Sequence, residues 1–305
     1  MQDFAGRIAV ITGGGMGMGR ELAKQLVAEG CSVALCDIAE AALAETKAQC
    51  LAGAPQGTRV STFVADVSIE AQMNAWAETV RAEMETDRIH LLFNNAGISG
   101  GGSFVVGSRE AWERTFAINF YGVLHGVRAF MPLLKAADAG HIINTSSING
   151  FWATLGPGTV HTAYSAAKFA VKGFTEALMA DLAVNAPHIH CSVVMPGHIG
   201  TEILGNSLRM NAGHADTRAL MQRQGMDVSN LTDEQITEAM NANFRDTAPT
   251  TAAQAATIIL DGVKAGRWRL LIGEDAQRLD AMVRADPENA YTPAFSEAFW
   301  GHGRG

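Results

Sequence analysis

The chain has 305 residues, of which 48% are hydrophobic and 18% are charged, a composition too apolar for a disordered protein. No run of roughly 18 uncharged apolar residues predicts a membrane span, and a formal charge of −8 with scattered basic residues argues against nucleic acid or membrane as partners. Four cysteines without a CxxC pair predict neither a zinc site nor disulfides, so no metal is expected.

Short runs rich in valine, isoleucine and leucine alternate with longer helical stretches, which is the pattern of β-α units that build a parallel sheet. The predicted strands are Ile8–Thr12, Ser32–Asp37, Val60–Ala65, Ile89–Asn94, His141–Thr145, His190–Met195 and Arg269–Ile272. The predicted helices are Gly17–Glu29, Glu40–Cys50, Ile69–Glu85, Glu110–Leu134, Ser165–Ala183 and Ala252–Lys264. Each helix is long enough to cover one face, which predicts a doubly wound α/β sheet of seven parallel strands.

Residues 1–305 are predicted to form a single domain with two irregular regions. Residues 202–250 interrupt the alternation for longer than a normal connection, and they are predicted to be a helical insertion. Residues 300–305 are predicted to be a loose tail. The N-terminal sequence does not resemble a signal peptide, so a cytoplasmic, reducing location is expected.

The first predicted strand runs into a glycine-rich turn, TGGGMGMG at residues 12–19, and then into a helix. Such glycines let the backbone turn tightly and approach a pyrophosphate at the positive end of the helix. Asp37 ends the second strand twenty residues after Gly17, where a carboxylate can accept hydrogen bonds from an adenosine ribose. An ordinary turn and an N-capping aspartate are the alternative interpretations of these two features.

Asp37 also favours NAD over NADP, because its carboxylate would repel a 2′-phosphate and no arginine follows it in the sequence CDIA. Arg20 lies one turn into the helix after the glycines and could reach a phosphate. The sequence therefore predicts NAD as cofactor and leaves NADP, or use of both, as the alternative.

Tyr164 and Lys168 lie at the start of a strongly apolar predicted helix, in the sequence YSAAK. At this spacing the two side chains share one helix face, about 5–6 Å apart at Cβ. A tyrosine with an ordinary pKa of about 10 is a poor base at neutral pH, whereas a nearby cation stabilises its phenolate. Taken alone, the pair also fits an ordinary amphipathic helix.

From roughly Gly6 to Thr201 the chain resembles the short-chain dehydrogenase/reductase family, in its compact single-domain branch. The matching motifs occur in order: TGGGMGMG, Asp37, Asp66-Val67, Asn94-Asn95-Ala96-Gly97, Asn119, Ser146-Ser147, Tyr164 with Lys168, and Pro196-Gly197 with Thr201. The resemblance implies a Rossmann-type fold. It also implies a reversible interconversion of an alcohol and a ketone or aldehyde by hydride transfer.

Roles for individual residues follow from the same resemblance. The residues implied to hold the dinucleotide are Gly13, Met16, Gly17, Met18, Gly19, Asp37, Asp66, Val67, Asn94, Ala96, Gly97, Tyr164, Lys168, Ile199 and Thr201. The residues implied in catalysis are Tyr164 as general acid/base, Ser147 as the hydroxyl that orients the substrate oxygen, Lys168 as ribose anchor and the cation that lowers the tyrosine pKa, and Asn119 as holder of a proton-relay water.

Three features depart from the family pattern. Ser147 lies further from Tyr164 than is usual, so the loop at 151–162 is longer, and Ser147 is chosen over Ser146 as the second serine of the pair. Met18 replaces the more usual isoleucine, which conserves volume. The segment at 202–250 falls where the family has its substrate lid and exceeds the usual length.

The expected substrate is a hydrophobic secondary alcohol, because the candidate pocket walls are mostly apolar and bulky. These walls are Trp152, Leu155, His161, His198, Ile203, Leu204 and Met210, although a surface or capping role is an alternative for each histidine. The predicted helices at 110–134 and 165–183 are apolar on more than one face, so a homodimer or homotetramer is expected.

Two other functions stay open. An NADPH-dependent carbonyl or ketoacyl reductase differs mainly in cofactor and direction. A non-catalytic dinucleotide sensor would have the same fold, but it would not need the complete set of Asn119, Ser147, Tyr164 and Lys168.

Overall fold

The computed structural model describes residues 2–155, 160–203, 205, 207 and 230–301. The strands within these ranges are β1 (Ile8–Thr12), β2 (Ser32–Asp37), β3 (Val60–Val64), β4 (Leu91–Asn94), β5 (Gly140–Thr145), β6 (Ile189–Pro196), β7 (Ile199–Gly200), β8 (Thr250–Thr251) and β9 (Arg269–Ile272). Seven of them form one parallel sheet in the order β3-β2-β1-β4-β5-β6-β9, which confirms the predicted fold class. β7 and β8 form a separate short parallel pair.

Helices cover both faces of this sheet. They are α1 (Gly17–Ala28), α2 (Glu40–Leu51), α3 (Glu70–Glu83), α4 (Arg109–Phe116), α5 (Gly122–Lys135), α6 (Thr162–Asn185), α7 (Asp233–Asp246), α8 (Ala252–Lys264), α9 (Glu274–Ala285) and α10 (Pro293–Gly301). Ala9 and Ile11 of β1 pack with α1 and α8, whereas Val10 packs on the other face with α3 and α5. Successive side chains of a strand point to opposite faces, so an uninterrupted apolar strand needs a helical layer on each side.

The order of the strands reverses beside β1. The chain runs outward from β1 to β2 and β3, returns to place β4 on the other side of β1, and then continues outward through β5 and β6. The connections after β1 and β4 therefore diverge to opposite faces and leave a crevice at the carboxyl ends of these two strands.

The helix predicted at 110–134 is divided in the structure. It consists of α4, a π-helical turn at Ala117–Tyr121, and α5. A single wide turn barely alters the apolar pattern of the surrounding helices, so the sequence did not reveal it.

Helices α9 and α10 follow the last strand and were not predicted. α9 has Glu274 and Asp275 in its first turn and Arg284 in its last turn, which suits the helix dipole and was a usable signal. α10 includes Trp300 and Gly301, which the sequence analysis assigned to the loose tail, and residues 302–305 lie outside the described part.

The predicted insertion at 202–250 includes α7, whose start is fixed by a capping box between Thr232 and Gln235. Most of its remaining residues lie outside the described ranges.

None of the helices that the structure describes is long and apolar enough to cross a bilayer. The cysteines are free and buried, as expected, and burial raises the pKa of the Cys31 thiol to about 12.

Candidate active site

A cavity of about 440 Å³ lies at the crevice beside β1, on the carboxyl edge of the sheet. The predicted cofactor residues that line it are Gly13, Met16, Gly17, Met18, Asp37, Asp66, Val67, Ala96, Gly97 and Thr201. The lining residues to which the sequence analysis gave no cofactor role are Ile38, Ala39, Ala41, Ala42, Ala65, Asn95, Ile98, Ile118, Glu202 and Ile203. Most of these are small or apolar, as the walls of a pocket for flat rings require.

The glycine turn forms one wall because side chains would fill the space there. Gly13 has φ of +66°, and a Cβ on it would lie 2.9 Å from the Cα of Ala96. Gly17, at φ of +53°, starts α1, and a Cβ there would meet the methyl group of Thr201 at 3.3 Å. The first turn of α1 contains no acidic residue, so its partial positive charge is available to an anion.

Thr12 joins this wall to the segment that follows β4. Its buried Oγ1 accepts hydrogen bonds from the backbone N–H groups of Asn95 and Ala96, at 2.9 and 3.0 Å. The side-chain amide of Asn95 donates back to the carbonyls of Thr12 and Gly13, at 3.0 and 3.3 Å. These reciprocal bonds fix the width of the crevice. The sequence analysis gave neither residue a role, because no local sequence pattern shows that the Thr12 hydroxyl bonds to a residue 83 positions away.

Asp37 stands at the end of β2 and makes two backbone contacts. One carboxylate oxygen accepts from the N–H of Gly15 and the other from that of Ala39, each at 3.1 Å. Since Asp37 also lines the cavity, the turn-stabilising role and the predicted ribose contact are compatible. Arg20 is held elsewhere, in a bidentate pair with Glu45 at 2.8 and 2.9 Å and by a bond to the Gly15 carbonyl.

The lining of the cavity is acidic. Asp37, Asp66 and Glu202 contribute carboxylates, and no lysine or arginine occurs among the lining residues within the described ranges. Asp66 accepts from the N–H and the hydroxyl of Ser68, at 2.9 and 2.6 Å, which holds the turn before α3. A cavity of this charge disfavours an additional phosphate group.

Asn119 lies in the π-helical turn between α4 and α5. Its Nδ2 donates to the carbonyls of Ile98 and Thr115, at 2.9 and 2.8 Å. Its Oδ1 is buried and has no hydrogen-bond partner among the residues that the structure describes. A Cβ on Gly97 would lie 2.7 Å from this oxygen. An unpartnered buried oxygen of this kind can accept a hydrogen bond from a water molecule, and the role of Asn119 as holder of a proton-relay water stays a prediction.

Three predicted catalytic residues meet where β5 ends and α6 begins. The Nζ of Lys168 lies 5.5 Å from the centre of the Tyr164 ring and donates to the carbonyl of Thr145 at 2.9 Å. Ser147 lies beside Tyr164 and lowers its pKa, and the Oγ of Ser147 accepts from the N–H of Asn149 at 3.1 Å. The spacing of Tyr164 and Lys168 on one helix face therefore produces the expected proximity.

Ser146 has a different position. Its buried Oγ donates to the carbonyl of Lys168 at 2.7 Å, so the hydroxyl ties β5 to the backbone of α6. Of the two adjacent serines, the second, Ser147, is the one that contacts Tyr164. Adjacent residues in an extended segment point to opposite sides, which explains the division.

Burial is the main cause of the pKa shifts of Tyr164 and Lys168. Burial raises the pKa of Tyr164, and the hydrogen bond with Ser147 opposes that rise. Burial also lowers the pKa of Lys168 to about 7, so near neutral pH its ammonium form is partly lost. The predicted lowering of the Tyr164 pKa by Lys168, acting together with an oxidised nicotinamide, stays a prediction.

The remaining predicted cofactor residues lie behind the cavity wall. Asn94 donates to the Oδ1 of Asn144 at 2.8 Å, and Gly19 packs against the carbonyl of Gly13. Ile199 is buried in β7. These side chains support the wall, and a contact of their own with a cofactor stays a prediction.

Trp152, a predicted wall of the substrate pocket, is instead part of the core. It is fully buried beneath α9 and α10, where its Nε1 donates to the carbonyl of Ala290 at 2.6 Å and its ring packs against Phe295 and Phe299. The prediction was wrong because helices α9 and α10, which cover this side chain, were missed.

The two candidate histidines also differ. The ring of His198 lies 4.2 Å from that of Phe244 and bonds to its carbonyl at 2.7 Å, so it anchors α7. The ring of His161 lies 4.6 Å from that of Tyr164, and burial lowers the pKa of this imidazole to about 4. His161 is thus a neutral neighbour of Tyr164. The predicted wall residues Leu204 and Met210 lie outside the described residues.

The glycine turn, the ribose-side carboxylate and the Tyr164 group together fit a nicotinamide dinucleotide, and the protein is of the class of NAD(P)-dependent oxidoreductases with a Rossmann-type fold. A family model described as short chain dehydrogenase matches residues 7–213. The chain therefore belongs to the short-chain dehydrogenase family.

Curated relatives have oxidoreductase names. The oxidoreductase SadH of Mycobacterium tuberculosis is 33% identical over 286 residues, which cover 93% of this chain and 92% of that protein. Levodione reductase of Leifsonia aquatica is 34% identical over 68% of this chain and 74% of its own length. Cyclopentanol dehydrogenase of Comamonas is 36% identical over 64% of this chain and 74% of its own.

Solved structures of the family include complexes with either dinucleotide. A short-chain dehydrogenase/reductase from Burkholderia phymatum in complex with NAD has a TM-score of 0.78 at 30% identity, covering 96% of this chain and 98% of its own. A metagenomic short-chain oxidoreductase in complex with NADP has a TM-score of 0.56 at 30% identity, covering 64% of this chain and 83% of its own. Structural similarity to these two proteins is therefore compatible with either NAD or NADP.

Replacing Thr12 with valine tests whether its hydroxyl fixes the crevice. We expect Thr12→Val to lower the free energy of unfolding by about 1–3 kcal/mol, because two partly buried N–H groups lose their acceptor. NAD affinity, measured by calorimetry, should also fall. Thr79→Val removes an exposed hydroxyl on α3 and is the control. Equal stability and NAD affinity of Thr12→Val and Thr79→Val in urea titrations and calorimetry would contradict this role.

Proposed function

We propose that the protein is an NAD-dependent dehydrogenase that interconverts a hydrophobic secondary alcohol and its ketone. The observation that carries this proposal is the group of Tyr164, Ser147 and Lys168 immediately behind the cavity wall. Gly97 lines the cavity, and a Cβ on it would lie 3.4 Å from the Nζ of Lys168 and 2.7 Å from the Oδ1 of Asn119. The acid/base group and the dinucleotide cavity therefore share one wall.

When bound, the nicotinamide supplies the acceptor for a hydride from the carbinol carbon. Tyr164 removes the hydroxyl proton during oxidation and returns it during reduction. Ser147 donates to the substrate oxygen, and a preorganised donor of this kind contributes roughly 3–4 kcal/mol in a dry site. In this proposal Lys168, which donates to the carbonyl of Thr145, binds the nicotinamide ribose.

NAD is the proposed dinucleotide because of the charges around the adenosine end. Asp37 lies on the lining with two further carboxylates, and the exposed Ile38 follows it. Arg20, the cation nearest in sequence to the glycine turn, is paired with Glu45. A 2′-phosphate at this end would meet like charge and no described cation on the lining.

The proposed substrate is a compact, apolar secondary alcohol. The neutral ring of His161 beside Tyr164 offers no charge to bind a carboxylate or phosphate on the substrate. Cyclopentanol, in the name of one relative, is an alcohol of this kind. The free, buried cysteines accord with the reducing cytoplasm as the proposed location.

We also propose a homo-oligomer, because apolar side chains are exposed around α4, α5 and α6. Phe104, Tyr121 and Phe169 are 72%, 47% and 40% exposed, and Val105 is 89% exposed. A contiguous group of large apolar side chains on a monomer indicates an interface.

Turnover and its dependence on Tyr164 test the central proposal. With NAD and a panel of cyclic and aromatic secondary alcohols, absorbance at 340 nm should rise, and Tyr164→Phe should lower kcat by about 10²–10⁴-fold. Because burial raises the pKa of Tyr164, kcat for oxidation should increase with pH while kcat for reduction falls. The control is Tyr121→Phe, which changes an exposed tyrosine. Full activity of Tyr164→Phe would refute the mechanism.

Substitutions at the end of β2 test whether the protein prefers NAD or NADP. We expect the wild-type kcat/KM to be higher with NAD than with NADP, and the double variant Asp37→Ser, Ile38→Arg to shift that ratio towards NADP by about 10²-fold or more. The physical reason is that the double variant removes a carboxylate that repels the 2′-phosphate and adds a guanidinium that attracts it. Asp181→Asn, an exposed carboxylate on α6, should leave the ratio unchanged. A wild-type preference for NADP would contradict the argument from Asp37.

Sedimentation equilibrium tests the interface. The wild-type mass should be a multiple of 32.3 kDa, and Phe169→Glu should shift it towards one chain because a buried unpaired charge opposes association. Leu51→Glu, at an equally exposed position on α2, is the matched control and should keep the wild-type mass. A wild-type monomer would refute the proposal.

A further inference from the structure

The loop after Ser147 is tied to the C-terminal part of the chain at successive residues. The indole Nε1 of Trp152 donates to the carbonyl of Ala290 at 2.6 Å, and the N–H of Ala153 donates to the hydroxyl oxygen of Tyr291 at 3.2 Å. Neither bond is part of the sheet or of a helix. Ala290 and Tyr291, which lie between α9 and α10, are called the C-terminal clamp below.

The anchoring of Trp152 is strong because the whole side chain is buried. Its ring centre lies 5.9 Å from that of Phe295 and 5.6 Å from that of Phe299, both on α10. On the preceding residue, the guanidinium of Arg269 lies 5.9 Å from the centre of the Phe151 ring. Arg269 is itself paired with Asp280 of α9, so the elements that hold this loop are themselves joined.

Asn149 connects the loop to Ser147. Its buried Nδ2 donates to the carbonyls of Trp152 and Thr154, at 3.0 and 3.1 Å, and therefore closes the loop on itself. Its backbone N–H donates to the Oγ of Ser147 at 3.1 Å. One residue thus contacts both the anchored loop and the hydroxyl that lowers the Tyr164 pKa.

We propose that Asn149 is a positioning residue for the reaction and that the C-terminal clamp acts through it to orient the hydroxyl of Ser147. This inference rests on the proposed function, because it concerns the same reaction. Ser147 Oγ has one hydrogen to donate and two lone pairs. Since one lone pair accepts from the N–H of Asn149, the torsion of the side chain is restrained and the hydrogen is directed towards the reacting oxygen.

The consequence for catalysis follows from geometry. A donor contributes fully only within hydrogen-bonding distance of the developing charge, and a displacement of about 1 Å can cost about a hundredfold in rate. The 3-10 turn at Ile148–Gly150 is short, and its side-chain cap is Ser147 itself. The clamp is thus a restraint on this turn in addition to the packing of the turn against α6.

Asn149→Ala and Tyr291→Phe test the proposal in the full-length protein with NAD and an alcohol that the wild type oxidises. We expect Asn149→Ala to lower kcat by about tenfold or more, with a smaller effect from Tyr291→Phe, while NAD affinity stays within about twofold. The acidic limb of the pH profile for oxidation should move to higher pH in Asn149→Ala, because the Ser147 hydrogen bond that lowers the Tyr164 pKa is weakened.

A double-mutant cycle with Ser147→Ala, read by single-turnover absorbance at 340 nm, separates positioning from a general structural effect. If Asn149 acts through Ser147, Asn149→Ala should change the rate less than about twofold in the Ser147→Ala background. Equal fold-losses in both backgrounds, or an unshifted pH profile, would overturn the proposal.

Two further variants provide a substitute for Asn149→Ala and a control. Trp152→Phe retains an aromatic ring but removes the bond to Ala290 and part of the buried ring volume, so it loosens the clamp and replaces Asn149→Ala if that variant does not fold. The control is Asn289→Ala, which removes an exposed side-chain amide beside the clamp; within the described residues this amide donates to Asp286. If the wild type oxidises no alcohol, the proposed function fails. If the wild type is active and only the Asn149 effects are missing, the positioning proposal alone fails.

Discussion

The reversal of strand order beside β1 is the constraint on which the site depends. Right-handed crossovers from β1 and from β4 must pass over opposite faces of the sheet, so the two connections cannot cover the carboxyl ends of both strands. The glycine turn occupies one side of the resulting crevice and Ala96-Gly97 the other. The reciprocal hydrogen bonds between Thr12 and Asn95 then fix the separation of the two sides.

Burial sets the chemistry of the group beside this crevice. Tyr164 and Lys168 are removed from water together, so burial favours the neutral form of each. The hydrogen bond from Ser147 acts in the opposite direction on Tyr164. In the proposed mechanism, Tyr164 must lose its proton against this effect of burial before it can act as a base.

The C-terminal helices show how distant sequence enters a local site. α9 and α10 follow the last strand of the sheet, yet Trp152 beneath them lies only five residues after Ser147. The apolar character of Trp152 suggested a pocket wall, since an apolar side chain suits a substrate and a core equally well. Because Phe295 and Phe299 cover the Trp152 ring, this side chain belongs to the core and not to a substrate pocket.

The sequence by itself determined the alternation of strands and helices, the family, and the proximity of Tyr164 to Lys168. Each of these depends on short-range periodicity or on spacing within one element, which the backbone geometry converts directly into position. Only the tertiary structure decided that Arg20 pairs with Glu45, that Thr12 spans the crevice, and that burial raises the Tyr164 pKa. These outcomes depend on which distant segments exclude water from a side chain, and no local pattern contains that information.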